Sequence, residues 1–96
     1  MQPLPIVDEG ILVRFLVDLL KTPSPTGFAH EAIALIDKVL RNLPGVNTQN
    51  LPKGGLLVTI EGEKQDAPRA LTAHADTLGA MVKAIKSNGK LQLTYI

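Results

Sequence analysis

The chain has 96 residues, of which 45% are apolar and 20% are charged, and this is typical of one small globular domain over residues 1–96. The composition excludes an intrinsically disordered chain, because so few charges cannot keep so many aliphatic side chains solvated. The formal net charge of +1 argues against nucleic acid as a partner, and the lack of cysteine excludes a disulfide scaffold, a zinc–thiolate site and a thiol nucleophile.

Membrane insertion and secretion are not expected from the sequence. The longest apolar stretch, residues 11–20, is interrupted by Arg14 and Asp18, so it is not a membrane span. No basic segment precedes an apolar one at the start of the chain, and a signal peptide is therefore not predicted. We expect a cytoplasmic protein without a membrane partner.

Two amphipathic helices are predicted in the first half of the chain. Over residues 8–21 charged side chains recur at spacings of four and three, the other positions are mostly apolar, and Asp8 is the predicted N-cap. Residues 22–27 end this helix, because proline disfavours the α conformation of the residue before it. A second helix is predicted over residues 29–43, before a Pro-Gly pair. Its solvent face is predicted to hold the charged side chains Glu31, Asp37, Lys38 and Arg41.

The second half of the chain is predicted to be rich in β-strands. Residues 56–60 are apolar and follow a turn signal, and residues 69–73 have the short apolar pattern of a buried central strand. Residues 80–86 and 90–96 flank an Asn-Gly pair, which favours a hairpin because both turn residues tolerate positive φ. The order of elements predicts an α/β fold, with two N-terminal helices packed on a mixed β-sheet and a C-terminal hairpin.

The last predicted strand ends the sequence in the middle of its apolar alternation. Residues 91–96 are followed by no turn, cap or polar tail, and a chain of this kind leaves an unfinished sheet edge. We therefore expect the sequence to be the truncated N-terminal part of a longer protein. A short C-terminal strand that pairs fully is the alternative.

The segment with the clearest potential for chemistry contains His74 and Asp76. They follow a predicted buried strand, at the end where α/β sheets place functional side chains. Imidazole is the commonest metal ligand, and its second nitrogen usually donates to a carboxylate that orients the ring. Because residues two apart on a strand point to the same side, Asp76 is expected near any site that His74 enters. The alternative is a partly buried histidine that makes only local hydrogen bonds.

Other polar residues are expected to have structural roles. His30 lies at the start of the second helix, where a solvated or capping role is expected. Ser24 has no nucleophile elbow around it and is predicted to be a turn residue. The charged side chains of the predicted hairpin are expected to form a solvated face: Lys83, Lys86 and Lys90.

Three ordered motifs connect the chain to a known family. They are residues 23–28 (Pro-Ser-Pro-Thr-Gly-Phe), residues 74–82 (His-Ala-Asp-Thr-Leu-Gly-Ala-Met-Val) and residues 88–91 (Asn-Gly-Lys-Leu). Together they resemble the start of the tetrahedral aminopeptidases, the glutamyl or deblocking aminopeptidases that form the forty-second metallopeptidase family. The resemblance extends from about residue 11 to residue 96. Residues 77–82 are most similar to a subgroup associated with an osmoprotectant peptide system, N-acetylglutaminylglutamine amide.

The resemblance implies roles for two residues. His74 matches a terminal ligand to one of two divalent metal ions, zinc or cobalt, and Asp76 matches a catalytic-site residue that orients this histidine. The motif at residues 23–27 matches a structural turn. The other ligands and the glutamate base of the family have no counterpart in this sequence, and one histidine with one carboxylate cannot hold two metal ions. The resemblance therefore implies that the chain alone is catalytically inactive.

The resemblance also implies a function for the complete protein. That function is a cytoplasmic, dinuclear metal-dependent aminopeptidase-like hydrolase that cleaves N-terminal residues from peptides and assembles as a homo-oligomer, commonly a dodecamer. The chain is then the N-terminal part of an aminopeptidase-like α/β fold. An alternative from another class is a non-catalytic interaction module of the same fold, whose terminal strand adds to a partner's sheet. An enzyme of a different kind with a different metal is a third alternative, which the sequence neither supports nor excludes.

Overall fold

The computed structural model describes residues 2–96 of the chain. In this part of the chain two helices precede four strands, so the fold is α/β, as the sequence predicts. The elements are α1 (Glu9–Lys21), α2 (His30–Leu40), β1 (Val46–Asn50), β2 (Leu56–Ile60), β3 (Ala80–Ile85) and β4 (Leu91–Tyr95).

Helix α1 begins and ends close to the predicted positions. Asp8 is its N-cap, and the Asp8 carboxylate accepts a hydrogen bond of 3.0 Å from the backbone N–H of Ile11. After Lys21 the backbone N–H of Thr22 donates to the carbonyl oxygen of Leu19 at 3.1 Å, which closes the last turn. No residue of α1 is buried, so its apolar side chains remain in contact with solvent.

Helix α2 is shorter than predicted and buries a charge that was placed on its solvent face. It ends at Leu40 instead of residue 43, and Asp37 is only 5% exposed. The prediction for Asp37 is wrong because α2 contacts α1, β1 and β2, a wider covered surface than the apolar pattern indicates. Arg41 forms an ion pair with one carboxylate oxygen of Asp37, while the other oxygen has no hydrogen-bond partner among the described residues.

Strands β1 and β2 form the first antiparallel hairpin, in the register Val46↔Ile60 to Asn50↔Leu56. Strand β2 confirms the prediction for residues 56–60, whereas β1 has the mostly polar sequence Val-Asn-Thr-Gln-Asn and was not predicted. The connection has two hydrogen bonds, from Leu51 N–H to Gly55 O at 2.8 Å and from Gly54 N–H to Leu51 O at 3.0 Å. With φ of +86° at Gly54, this is a three-residue loop closed by a left-handed glycine.

Strands β3 and β4 form the second antiparallel hairpin, which confirms the prediction for residues 80–96. The predicted turn is wrong in its detail, because among the described residues only glycines have positive φ, and Asn88 does not. The loop repeats the first one, with hydrogen bonds from Gly89 N–H to Lys86 O and from Lys86 N–H to Lys90 O, both at 2.9 Å. With negative φ, Asn88 uses its side-chain oxygen to accept a hydrogen bond from Lys90 N–H at 3.1 Å.

Residues 2–96 do not form the single mixed sheet and the central strand expected from the sequence. The two hairpins are separate two-stranded antiparallel sheets. Residues 69–73 form no strand and are exposed, with Leu71 98% exposed, because no strand among residues 2–96 lies beside them to accept their backbone hydrogen bonds. The apolar pattern alone did not distinguish a segment that pairs with a neighbouring strand from one that, like residues 69–73, forms no strand.

Very little apolar surface is buried within the described residues. Ala32 is their only buried hydrophobic residue, and Ser24 and Asp37 are the buried polar ones. The molecule measures 67 × 31 × 19 Å, and its radius of gyration of 18.3 Å exceeds the value of about 13 Å for a compact domain of 100 residues. Between residues 2 and 96, no helix combines the length and the apolar character needed to cross a bilayer.

Candidate functional site

The site is built on the tight turn that follows α1. The backbone N–H of Phe28 donates to the carbonyl oxygen of Pro25 at 2.8 Å, and Gly27 has a φ of +84°. Positive φ at the third position, with negative φ at Thr26 before it, identifies a type II β-turn. Ser24, which was predicted as a turn residue, lies immediately before this turn and is 2% exposed.

This turn is fixed against the segment that carries Asp76. The backbone N–H and the hydroxyl group of Thr77 both donate to the carbonyl oxygen of Ser24, at 2.8 and 3.3 Å, and Pro25 and Thr77 form a parallel β-bridge. A Cβ atom added at Gly79 would lie 2.7 Å from Cβ of Pro25, so this close approach requires glycine. Two segments about fifty residues apart in the sequence therefore meet beside the candidate site.

The two predicted site residues, His74 and Asp76, are in direct contact. Nδ1 of His74 lies 3.0 Å from Oδ1 of Asp76 and 3.2 Å from the backbone oxygen of Asp76. Because a carboxylate and a carbonyl oxygen can only accept, Nδ1 carries the proton and donates it. Nε2 then has a free lone pair, and the side chain of His74 is 85% exposed. Nε2 is therefore the ring nitrogen that can accept a proton or a metal ion.

Thr26 completes the contacts of Asp76 and was not recognised from the sequence. Its hydroxyl group donates to Oδ2 of Asp76 at 2.7 Å. The hydrogen bond from Thr26, and then the one from His74, lowers the pKa of Asp76 below its ordinary value, so the carboxylate is charged at neutral pH. The signal in the sequence was the occurrence of Thr26 and Asp76 in two motifs of one resemblance, but the first motif was interpreted as a structural turn only.

An open groove of about 560 Å³ adjoins His74 and Asp76. It lies between α2, the first hairpin and residues 73–76. Its walls are mainly apolar and include Ala29, Ile33, Ile36, Leu51, Leu56 and Val58. The two polar side chains of the site therefore line a mainly apolar groove, to which Lys53 adds a positive charge.

The donor set is too small for the two metal ions that the resemblance implies. Over residues 2–96 no three His, Asp or Glu side chains are close enough together to hold a metal ion. A catalytic zinc ion usually has three protein ligands, whereas Nε2 of His74 supplies one. His30, at the start of α2, has its ring in edge-to-face contact with Phe28, with the ring centroids 4.4 Å apart. The described residues therefore contain no complete metal site, and Nε2 of His74 is the one donor that the pair His74 and Asp76 leaves available.

Two comparisons with known proteins find similarity to aminopeptidases. Residues 54–96, which contain His74 and Asp76, match the family model described as M42 glutamyl aminopeptidase. The chain is 43% identical over 84 residues to the protein named "Putative aminopeptidase YhfE" from Bacillus subtilis (strain 168). This match covers 88% of the chain and 24% of YhfE, so the chain spans about a quarter of the length of this curated relative. Residues 54–96 are thus similar to the M42 glutamyl aminopeptidases, and most of the chain is similar to a protein named as a putative aminopeptidase.

Proposed function

We propose that this chain is the N-terminal part of the catalytic domain of an M42 metal-dependent aminopeptidase, a hydrolase that removes N-terminal residues from peptides. The observation that carries the proposal is the contact of 3.0 Å between His74 Nδ1 and Asp76 Oδ1, in the segment that matches the family model. In the proposal His74 is a terminal metal ligand, and Asp76 is a catalytic-site residue that orients it.

The chemistry of the complete enzyme depends on groups outside the described residues. When bound, two divalent metal ions, zinc or cobalt, supply Lewis acidity toward a peptide carbonyl and lower the pKa of a bound water. In this chain Nε2 of His74 offers its lone pair, while Asp76 accepts the hydrogen bond from Nδ1–H and thereby orients the ring. Because only one ligand is provided, we propose that the chain alone does not hold the metal pair and is inactive.

The same proposal extends to the substrate, location and partners of the complete protein. The substrate is a peptide with a free N-terminus, and the complete protein is cytoplasmic, forms homo-oligomers, and binds neither nucleic acid nor membranes. The net charge of +1 supports the statement on nucleic acid, because it gives no extended positive field. The exposed apolar side chains of both hairpins and α1 support further contacts in a larger assembly. Membership of the osmoprotectant-associated subgroup is proposed from residues 77–82.

A chimera with the Bacillus subtilis relative tests the proposal. The 84 matching residues of YhfE are replaced by those of this chain, and the release of N-terminal residues from a peptide series is measured with YhfE as the positive control. We expect metal-dependent cleavage by the chimera and none by the 96-residue chain alone. A folded chimera with full metal content and no cleavage on peptides that YhfE cleaves would contradict the proposal.

Variants of the chimera separate the two site residues. His74→Ala should lose activity together with metal, whereas His30→Ala, which changes the only other histidine, should keep both. Asp76→Asn should keep much of the metal but lower turnover, because an amide orients the imidazole without supplying negative charge. Changes of this kind usually cost about 10–100-fold in metal affinity or activity. Unchanged activity and metal content in both site variants would return His74 to a structural role.

The second hairpin favours one alternative function. Strands β3 and β4 contact no other helix or strand of residues 2–96, so their edges are accessible for pairing with a partner strand. The alternative is a non-catalytic interaction module of the same fold. It predicts that the isolated chain binds an added peptide of extended structure while failing to support cleavage in the chimera. A monomer that does not bind such peptides would exclude it.

A further inference from the structure

We infer that Thr26 is a positioning residue for His74: its hydroxyl group fixes the side chain of Asp76, and Asp76 then holds the His74 ring so that Nε2 is presented. The inference rests on the proposed function, because it assigns Thr26 to the same candidate metal ligand. It adds a residue from a distant turn to a pair whose members are two positions apart in the sequence.

The two oxygens of the Asp76 carboxylate are occupied by different donors. Thr26 Oγ1 donates to Oδ2 at 2.7 Å, and His74 Nδ1 donates to Oδ1 at 3.0 Å. The torsion that turns an aspartate carboxylate about its own axis has a broad, weakly restricted energy profile. A single hydrogen bond from His74 would therefore leave the plane of the carboxylate poorly defined. The second hydrogen bond, from Thr26, fixes the plane at both oxygens.

The position of the Thr26 hydroxyl group is set by backbone contacts and does not depend on a metal ion. The type II turn orients Thr26, and the hydrogen bond of 2.8 Å from Thr77 N–H to Ser24 O brings this turn beside Asp76. The close approach of Gly79 to Pro25 supports the same junction. Thr26 Oγ1 is also 3.5 Å from the carbonyl oxygen of Thr77, which is at the limit for a hydrogen bond. The Thr26 hydroxyl group therefore donates its proton to Asp76 and not to Thr77.

A neutral donor is well suited to this position. A lysine or arginine in place of Thr26 would orient Asp76 but would also offset its negative charge, which His74 needs in order to be a strong ligand. The hydroxyl group of Thr26 orients the carboxylate and leaves the charge of the pair unchanged. Because the hydrogen bond of one imidazole nitrogen determines which nitrogen carries the proton, fixing Asp76 also fixes the tautomer of His74.

The test measures the tautomer of His74 and its zinc affinity in the 96-residue chain with ¹⁵N-labelled histidine. Nitrogen chemical shifts of the neutral ring give the share of the Nδ1–H form, and a titration with zinc ions alone gives the affinity. In Thr26→Val, which removes only the hydroxyl group, we expect a smaller Nδ1–H share and about tenfold weaker zinc binding, the lower end of the usual range for such contacts. Thr26→Ser should restore both values.

Thr22→Val is the matched control. The hydroxyl group of Thr22 donates to the carbonyl oxygen of Asp18 at 2.8 Å and has no contact with Asp76, so neither the tautomer nor the zinc affinity should change. A general disturbance of the turn by Thr26→Val would appear as loss of the contact between the Thr77 amide and Ser24. Unchanged tautomer and affinity in Thr26→Val with this contact intact would overturn the inference.

A measurement on the unmodified chain does not depend on the folding of any variant. A carboxylate held at both oxygens cannot follow rotation about the Cα–Cβ bond, so three-bond couplings of Asp76 should report one χ1 rotamer. Averaging over several χ1 rotamers would overturn the inference. The proposed function fails separately. If His74→Ala leaves the YhfE chimera fully active, the metal role of His74 is wrong. If His74→Ala inactivates the chimera but Thr26→Val leaves the tautomer and zinc affinity of His74 unchanged, only the role of Thr26 is wrong.

Discussion

The two hairpins have the same local design but different surroundings. Each is a pair of short antiparallel strands joined by a three-residue loop that a left-handed glycine closes, Gly54 in the first and Gly89 in the second. Strands β1 and β2 contact α2, and alternate residues at their start are partly covered. The second hairpin contacts no other described helix or strand, and β3 is exposed along its whole length. Turn chemistry is thus sufficient to specify a hairpin, whereas burial requires a second apolar surface.

The largest effect is expected at Ala32, a fully buried residue of α2, the helix that the first hairpin contacts. Ala32→Glu should destabilise the packing of α2 by about 3–5 kcal/mol, because Ala32 is 0% exposed and the new charge would have no partner. Ala34→Glu, at an exposed position of the same helix, is the control and should be nearly neutral. Chemical denaturation measures the loss, and amide spectra of β3 and β4 should be unchanged. Equal disturbance of both hairpins would contradict their independence.

A smaller effect is expected on self-association. The free faces of the second hairpin should make the chain marginally stable and prone to associate. Val82→Thr with Leu93→Thr, a directly opposed pair, should weaken association at least about tenfold, since burying one such side chain contributes about 1.5–3 kcal/mol. Leu57→Thr with Ile60→Thr, also exposed but in the first hairpin, is the control.

Analytical ultracentrifugation of both double variants measures this difference. Equal weakening by the two pairs would show that the first hairpin associates as readily as the second. Thermal unfolding of the unmodified chain gives a further check. A sharp transition that does not depend on concentration and lies well above about 65 °C would contradict marginal stability.

Substitution of the two loop glycines should cause a still smaller loss of stability, and each substitution should affect a different part of the chain. Gly54→Ala and Gly89→Ala each force a side chain into the left-handed region, at a cost of about 1–2 kcal/mol. The change at Gly54 should also shift the amide signals of α2, whereas the change at Gly89 should remain within β3 and β4. Gly55→Ala is the control, because φ is not positive there and an added Cβ would meet Leu51 at an ordinary 3.5 Å.

The smallest effect is expected from pH, through the charge of Asp76 where residues 76–77 contact the turn after α1. The pKa of Asp76 is lowered from its ordinary value of 3.8, first by the Thr26 hydroxyl group and then by His74. The charged Asp76 carboxylate therefore stabilises the folded state above pH 3.8. This contribution is lost as the pH falls through the lower pKa that Asp76 has in the folded state. Carboxyl carbon shifts measure the titration, and Thr26→Val should raise the pKa toward 3.8. A pKa unaffected by this variant would contradict the assigned cause.

The sequence predicted those elements whose signals are local. The N-cap at Asp8 and the loop at Gly89 depend on a few neighbouring residues, and the structure confirms α1 and the second hairpin. Strand β1 was missed because it is polar and is extended through pairing with β2, which no pattern within residues 46–50 reveals. The burial of Asp37 was missed for a similar reason, since it depends on what packs against α2.

The pair His74 and Asp76 was predicted, but the set of three with Thr26 was not. The contact between His74 and Asp76 is present although residues 69–73 do not form the strand on which its prediction rested. The contact of Thr26 with Asp76 joins positions fifty residues apart and depends on the bridge between Pro25 and Thr77. Periodicity and turn signals describe neighbours in the sequence, so a contact of this range lies outside what they report.

The junction between Ser24 and Thr77 also determines when the site forms during folding. Each hairpin closes a loop of three residues, and such local structures form within about 1–10 μs. The hydrogen bond from Thr77 N–H to Ser24 O closes a loop of about fifty residues, whose entropic cost grows with the logarithm of its length. His74 and Asp76 are therefore brought to Thr26 only after the local elements exist.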